Sequence, residues 1–364
     1  MPILRLRTGL PRAAAPISRI LLVLSLFACD GSKDEAKPQG QVIYSSVSSS
    51  NEVLAIDDAS HAIRKHFGVG KGPAILVGTP GLEKLYTANW ADNTVSAIDV
   101  VTGNVKSIAL PGKPYVVAID ATGKRVYAGL ASSAIAVIDT GTDAVLRQYP
   151  TTELPASLIV SPDGKTLYVA TLNLLGLDNG SLFAMSAETG DITREAITVG
   201  RVPAWIAITP DGSKVYTLNF LSDDISVIDT ESWTLATTIA TGSGSMGIIG
   251  SVSPDGKRLY VTNHGDSTLI AIDTGTNTVV QKVPLNGRPV GVQLSPDGKR
   301  VYVTDFGPQS KNEPPQVNYL LTGNFNATGP GQVSAYDTET GKLVGSVVSV
   351  AAGPTSVLVG PTAD

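Results

Sequence analysis

Apolar positions along this chain fall in short runs, and nearly every run stops at a turn signal. The clearest unit is Ser295-Pro296-Asp297-Gly298, followed after Lys299 by Arg300-Val301-Tyr302-Val303-Thr304-Asp305. Proline fixes φ and glycine tolerates the left-handed region, as a short hairpin turn requires. The β-branched and aromatic residues that follow predict a strand. Close copies stand at 161–171, 209–219 and 253–263, and weaker ones at 79–89 and 121–130. The strand tyrosines are Tyr44, Tyr86, Tyr127, Tyr168, Tyr216, Tyr260 and Tyr302, spaced by 42, 41, 41, 48, 44 and 42 residues. A second marker trails each: Ile56-Asp57, Ile98-Asp99, Ile138-Asp139, Ile228-Asp229, Ile272-Asp273 and Tyr336-Asp337, with Met185-Ser186 in the fourth unit. No long stretch carries a helical apolar period. Seven units of this period predict a repeat architecture rather than two or three ordinary domains.

Each unit divides into four predicted strands, A to D. Strand A is an apolar run after proline, as in Pro289 to Leu294, and the Pro-Asp-Gly turn leads from it to tyrosine strand B. A variable loop leads to strand C, as in Ser226 to Asp229, and a short turn to strand D, as in Leu235 to Ala240. This pattern resembles the YVTN β-propeller repeat family, and Tyr260-Val261-Thr262-Asn263 is an intact copy of its name motif. The resemblance runs over nearly all of Val42 to Gly360. It implies an all-β, seven-bladed β-propeller of four-stranded antiparallel blades over residues 42–364. The chain enters at strand B (Val42-Ile43-Tyr44) and leaves after strand A (Pro354 to Gly360), so an N-/C-terminal clasp is expected to complete the first blade. Closure hides sheet edges, whereas the alternative, an open solenoid, leaves both ends uncapped. An insertion at about 307–331, with Tyr319 and Phe325, interrupts the last full blade; loops this long are functional or disordered.

Residues 1–28 have the make-up of a signal peptide: Arg5, Arg7, Arg12 and Arg19, then the apolar stretch Ile20 to Ala28. At about 1.5 Å per residue that stretch covers roughly 14 Å, too little for a hydrocarbon core of about 30 Å. Leu26-Phe27-Ala28-Cys29 resembles the bacterial lipobox, and Cys29 is the one cysteine of the chain. The resemblance implies a lipidated Cys29, with more than one acyl chain giving stable attachment to a membrane. The alternative is an ordinary secretory leader and a chance cysteine. Residues 29–41 are polar and read as a flexible tether. The expected location is the bacterial cell envelope, facing the periplasm or the exterior. Asp30 resembles an inner-membrane retention signal.

Composition narrows the chemistry. The net charge of −5 becomes −9 once the leader takes four cations and no acid, leaving 23 cations against 32 acids. That disfavours nucleic acid as a partner, although one propeller resembling this family binds single strands. A single cysteine excludes an internal disulfide and a cysteine-rich metal site. His61, His66 and His264 are scattered, and no haem-attachment, phosphate-loop or nucleophile-elbow motif occurs. No cofactor or metal is expected, and a monomer is. The recurring Ile-Asp aspartates read as turn acceptors of backbone hydrogen bonds.

Strands of one blade alternate in direction, so the B–C and D–A loops share one face and the uniform Pro-Asp-Gly turns take the other. Lys71, Lys113, Arg201 and Arg288 each stand one or two residues before a strand-A proline. In a ring they would converge and focus a field on an anion. Trp90, Tyr115, Trp205, Phe220 and Phe306 fall on the same face, as do Asp92, Asp178, Asp223, Asp224, Asp266 and Asp305. The plainer reading makes these gap-fillers and solvated turn charges. Fold does not give function. The leading expectation is a non-enzymatic binding or scaffold module taking a small anionic ligand or a protein partner on this face. One alternative is a lactonase-like hydrolase with His264 and Asp266 as acid–base candidates. The other is an accessory subunit of a periplasmic dehydrogenase.

Overall fold

The structure, a computed structural model, describes residues 40–172, 178–306 and 329–361. The leader, Cys29, most of the tether, Tyr319, Phe325 and most of the insertion lie outside these residues.

The described residues form seven four-stranded antiparallel sheets arranged as propeller blades. The second blade is typical: β4 (Pro73–Gly78), β5 (Lys84–Asn89), β6 (Thr94–Asp99) and β7 (Val105–Ala109) run from the axis outward in chain order. The middle strands are buried on both faces because each blade packs between two others, so they lack the apolar–polar alternation of a half-exposed strand, as in Leu85-Tyr86-Thr87-Ala88-Asn89, all buried. The outermost strand meets solvent and is mostly exposed.

Three devices hold the blades. At the A–B turn, Gly298 takes φ +69°, and Asp297 Oδ1 accepts from Ser295 Oγ at 2.6 Å and Lys299 N at 3.1 Å. At the C–D turn, the Ile-Asp carboxylate accepts the backbone N–H three residues on. Asp99 does so from Thr102 at 2.8 Å and Asp337 from Thr340 at 2.7 Å; the Thr102 backbone N–H, and the Thr340 hydroxyl together with its backbone N–H, hold the two carboxyls below their ordinary pKa. Ser186 fills the same place in the fourth blade, accepting from Thr189 N at 3.1 Å. The third device joins neighbours. Among the described residues, the strand-B tyrosine hydroxyl in five of the seven blades donates to the C–D turn of the next blade, as from Tyr86 to Asp143 at 2.6 Å and from Tyr127 to Ala187 O at 3.0 Å.

The ring closes with β28 (Pro354–Pro361), the innermost strand of the first blade, antiparallel to β1 (Gln41–Val47), with Ile43 opposite Val359 and Tyr44 opposite Leu358. Tyr302 of the last blade then donates to Asp58 of the first at 2.8 Å, and Arg300 donates to the same carboxylate at 2.6 Å.

Candidate ligand cavity at the loop face

The remaining innermost strands are β8 (Pro114–Ile119), β12 (Leu154–Val160), β16 (Pro203–Ile208), β20 (Gly247–Val252) and β24 (Pro289–Leu294). Each of the seven carries a register shift against its strand-B partner just after its opening proline, or after Gly247 in the sixth blade. The residue following that proline or glycine falls inside the shift, unmatched by strand B. A bulge re-aims a side chain. Here it turns Ala74, Tyr115, Ala156, Ala204, Ile248, Val290 and Thr355 toward the axis, where all seven line one cavity.

The cavity leaves about 70 Å³ for the centre of a water-sized sphere, within about 730 Å³ of atom-free space that takes in open solvent at its mouth. Trp90 from a B–C loop and Val202 from a D–A connection also line it, which sets it at the loop-face end of the axis. Backbone hydrogen bonds zip the two loop types together: Trp90 N to Gly72 O at 3.1 Å, Ala91 N to Lys71 O at 3.0 Å, and Leu221 N to Arg201 O at 3.2 Å. Deeper in, Ile75 and Trp205 narrow the channel. Ile75 packs against three separate clusters of core residues, as only a side chain near the axis can. Trp205 donates Nε1–H to Gly250 O at 2.8 Å and also borders a second recess near the turn prolines Pro162, Pro210 and Pro254.

Val202 holds φ +52° where the corresponding residues of two other blades are Gly72 and Gly353. A β-branched residue is strained in the left-handed region, by roughly 1–2 kcal/mol. The strain sets an isopropyl group into the cavity wall.

The candidate residues now sort by place. Trp90 and Trp205 are in the wall. Lys113 is exposed, with its Nζ 4.8 Å from the centroid of the Trp90 ring, which lies 4.5 Å from that of Tyr115. Lys71 is exposed, its backbone N–H donating to Asp92 Oδ2 at 2.7 Å. Arg201 is exposed and donates to Leu221 O at 2.6 Å.

Others stand away from the wall. Arg288 is 9% exposed, so the expected ring of four exposed cations reduces to three. Phe220 is core, packed with Val202 and Ile248. His264 is buried, donating from Nδ1 to Pro289 O at 3.1 Å and lying edge-on to Phe306. Burial, with Arg288 nearby, lowers its pKa to about 4. Asp266 accepts from Thr268 Oγ1 at 2.7 Å and pairs with Lys282 at 2.8 Å, and Asp305 is buried. The pair His264 and Asp266, named for a hydrolase, therefore does not meet the cavity. Among the described residues Tyr115 is the one titratable group of its wall, with its hydroxyl pKa raised by burial, and no cluster of three metal-binding side chains occurs.

Sequence reasoning placed Trp90, Tyr115 and Trp205 on this face and missed the ring that surrounds them. The strand-A proline recurs in the sequence, but only the pairing with strand B shows that the residue after it is left unmatched.

A family model described as a YNCE-like beta-propeller matches residues 186–308. That stretch covers the last strand of the fourth blade and the fifth, sixth and part of the seventh, a similarity of propeller type. Among solved structures, a chain of Kuenenia stuttgartiensis hydrazine synthase is similar at 20% identity and TM-score 0.65, over 83% of this chain and 94% of that one. At that identity the likeness carries the fold alone. No curated protein matches the chain.

Proposed function

We propose that the protein is a non-enzymatic binding module of the cell envelope, tethered through a lipidated Cys29, which takes a small anionic ligand at its B–C/D–A loop face. One observation carries this reading: the cavity formed by the seven bulges lies at that face, with Lys113 set over its Trp90 rim. Ligand pockets are concave, largely apolar and sparing in polar groups, and this cavity has that make-up. A wall whose one titratable side chain is a tyrosine of raised pKa supports binding over general acid–base chemistry.

Thermal-shift screening against a panel of organic anions, from sugar acids and phosphates to aromatic carboxylates, is expected to yield a stabilising ligand. Hydrogen–deuterium exchange with that ligand should slow at 69–73, 90–93 and 113–116 and stay unchanged at the turns 162–164, 254–256 and 296–298. Protection confined to the turn face would move the site, and a panel without a single stabilising compound would count against the reading.

A further inference from the structure

The wall of the cavity is drier than a site for a sugar acid or a phosphate requires. Trp205 Nε1–H is spent on Gly250 O, and Thr355 Oγ1 donates to Ala74 O at 2.7 Å. The rest of the lining apart from the Tyr115 hydroxyl and the Trp90 indole N–H is apolar in its side chains, including Ile75, Ile248 and Val202. An apolar cavity gives water few partners and is readily filled by an apolar group. Among the described residues no charged side chain lines the chamber, and at its rim the Lys113 ammonium sits over Trp90. Two environments are thus stacked along one axis, a dry aromatic-walled chamber below and a cation above it.

We infer that the ligand is an amphipathic carboxylate, with a flat apolar ring system seated in the chamber between Tyr115 and Trp205 and its carboxylate held at the mouth by Lys113. This rests on the binding reading given above and narrows it. Ring faces suit the lining because aromatic rings favour offset or edge-on contact, and Trp90 and Tyr115 already meet as a tilted pair in the wall, 4.5 Å between centroids at 50°. The head must be a hydrogen-bond acceptor because lysine offers donors only, and its compact positive charge favours an anionic one. A highly hydrated polyanion would lose its shell on entering the chamber and recover no hydrogen bonds there.

Calorimetric titration of the full-length protein with 2-naphthylacetate, its neutral analogue 2-naphthylacetamide, and acetate tests each part. The expected result is saturable one-site binding of 2-naphthylacetate with a negative heat-capacity change, as burial of apolar surface gives. The amide should bind about tenfold more weakly, and acetate without detectable affinity. Lys113→Gln should bring acid and amide to the same affinity. Ala204→Phe and, from another blade, Ala156→Leu should fill the chamber and abolish binding of both, with melting temperatures confirming that at least one variant is folded.

Equal affinity of acid and amide in the unaltered protein overturns the anionic head. Binding of naphthylacetate that survives a folded chamber-filling variant overturns the seat. No saturable binding of naphthylacetate overturns the inference outright. In each case the loop-face reading stands or falls separately, on whether any other compound protects 90–93 and 113–116 from exchange.

Discussion

His264 sits between the sixth and seventh blades, with its neutral ring packed edge-on to Phe306 at 5.8 Å between centroids. Its pKa is lowered from 6.5 to about 4, chiefly by burial. Between those values the unfolded chain takes up a proton that the folded one refuses, so stability falls as pH drops through that window. At about 1.4 kcal/mol per pH unit, the loss reaches about 3 kcal/mol by pH 4. The turn aspartates act lower. Their folded pKa lies below 3.8, about 2 for Asp273, so their contribution is present above 3.8 and lost only in stronger acid. Urea midpoints are therefore expected to drop between pH 7 and pH 4.5, and His264→Gln should flatten that slope. Identical slopes in the two proteins would assign the effect to other groups. At this scale the Ile-Asp turn aspartates were legible in the sequence, because a residue that recurs at one turn serves that turn. The burial of His264 and Arg288 was not, because both stand in loops whose exposure depends on what the neighbouring blade packs against them.

Strand β28 is the element on which closure depends. Val357 is buried within the first blade, and Leu358 and Val359 pack against the clusters on its two sides. Burying one such side chain contributes roughly 1.5–3 kcal/mol, while a whole domain has about 5–15 kcal/mol of net stability. Deletion of residues 354–364 is expected to lower the melting temperature sharply and to expose the inner edge of β1 to aggregation. Scanning fluorimetry with light scattering would measure both, and a deletion protein that melts like the full chain would show that β28 contributes little. Strand content and order were readable from the repeated tyrosine and Ile-Asp markers. The tyrosines themselves carried a second meaning that no single unit contains. Among the described residues, five of their seven hydroxyls bond to the next blade, as Tyr86 does to Asp143, and that partner lies 57 residues away.

For the whole molecule, attachment to a membrane rests on residues outside the described structure, and among the described residues no helix is long and apolar enough to cross one. Intact mass spectrometry of the membrane fraction is expected to find a chain beginning at acylated Cys29. Cys29→Ala should release it to the soluble fraction, and a variant that stays wholly membrane-bound would remove the anchor from the account. The amino-acid sequence by itself determined the all-β class, the seven units, the turns and the identity of the loop face. Those follow from local preference and from a period repeated along the chain. Only the tertiary structure decided that a bulge recurs at the start of every innermost strand, and that Ala74, Tyr115, Ala204 and Ile248 meet at one axis. A bulge is a mismatch between two strands, so neither strand records it alone. Convergence is a property of the closed ring, which brings into one wall residues that the chain keeps some forty positions apart.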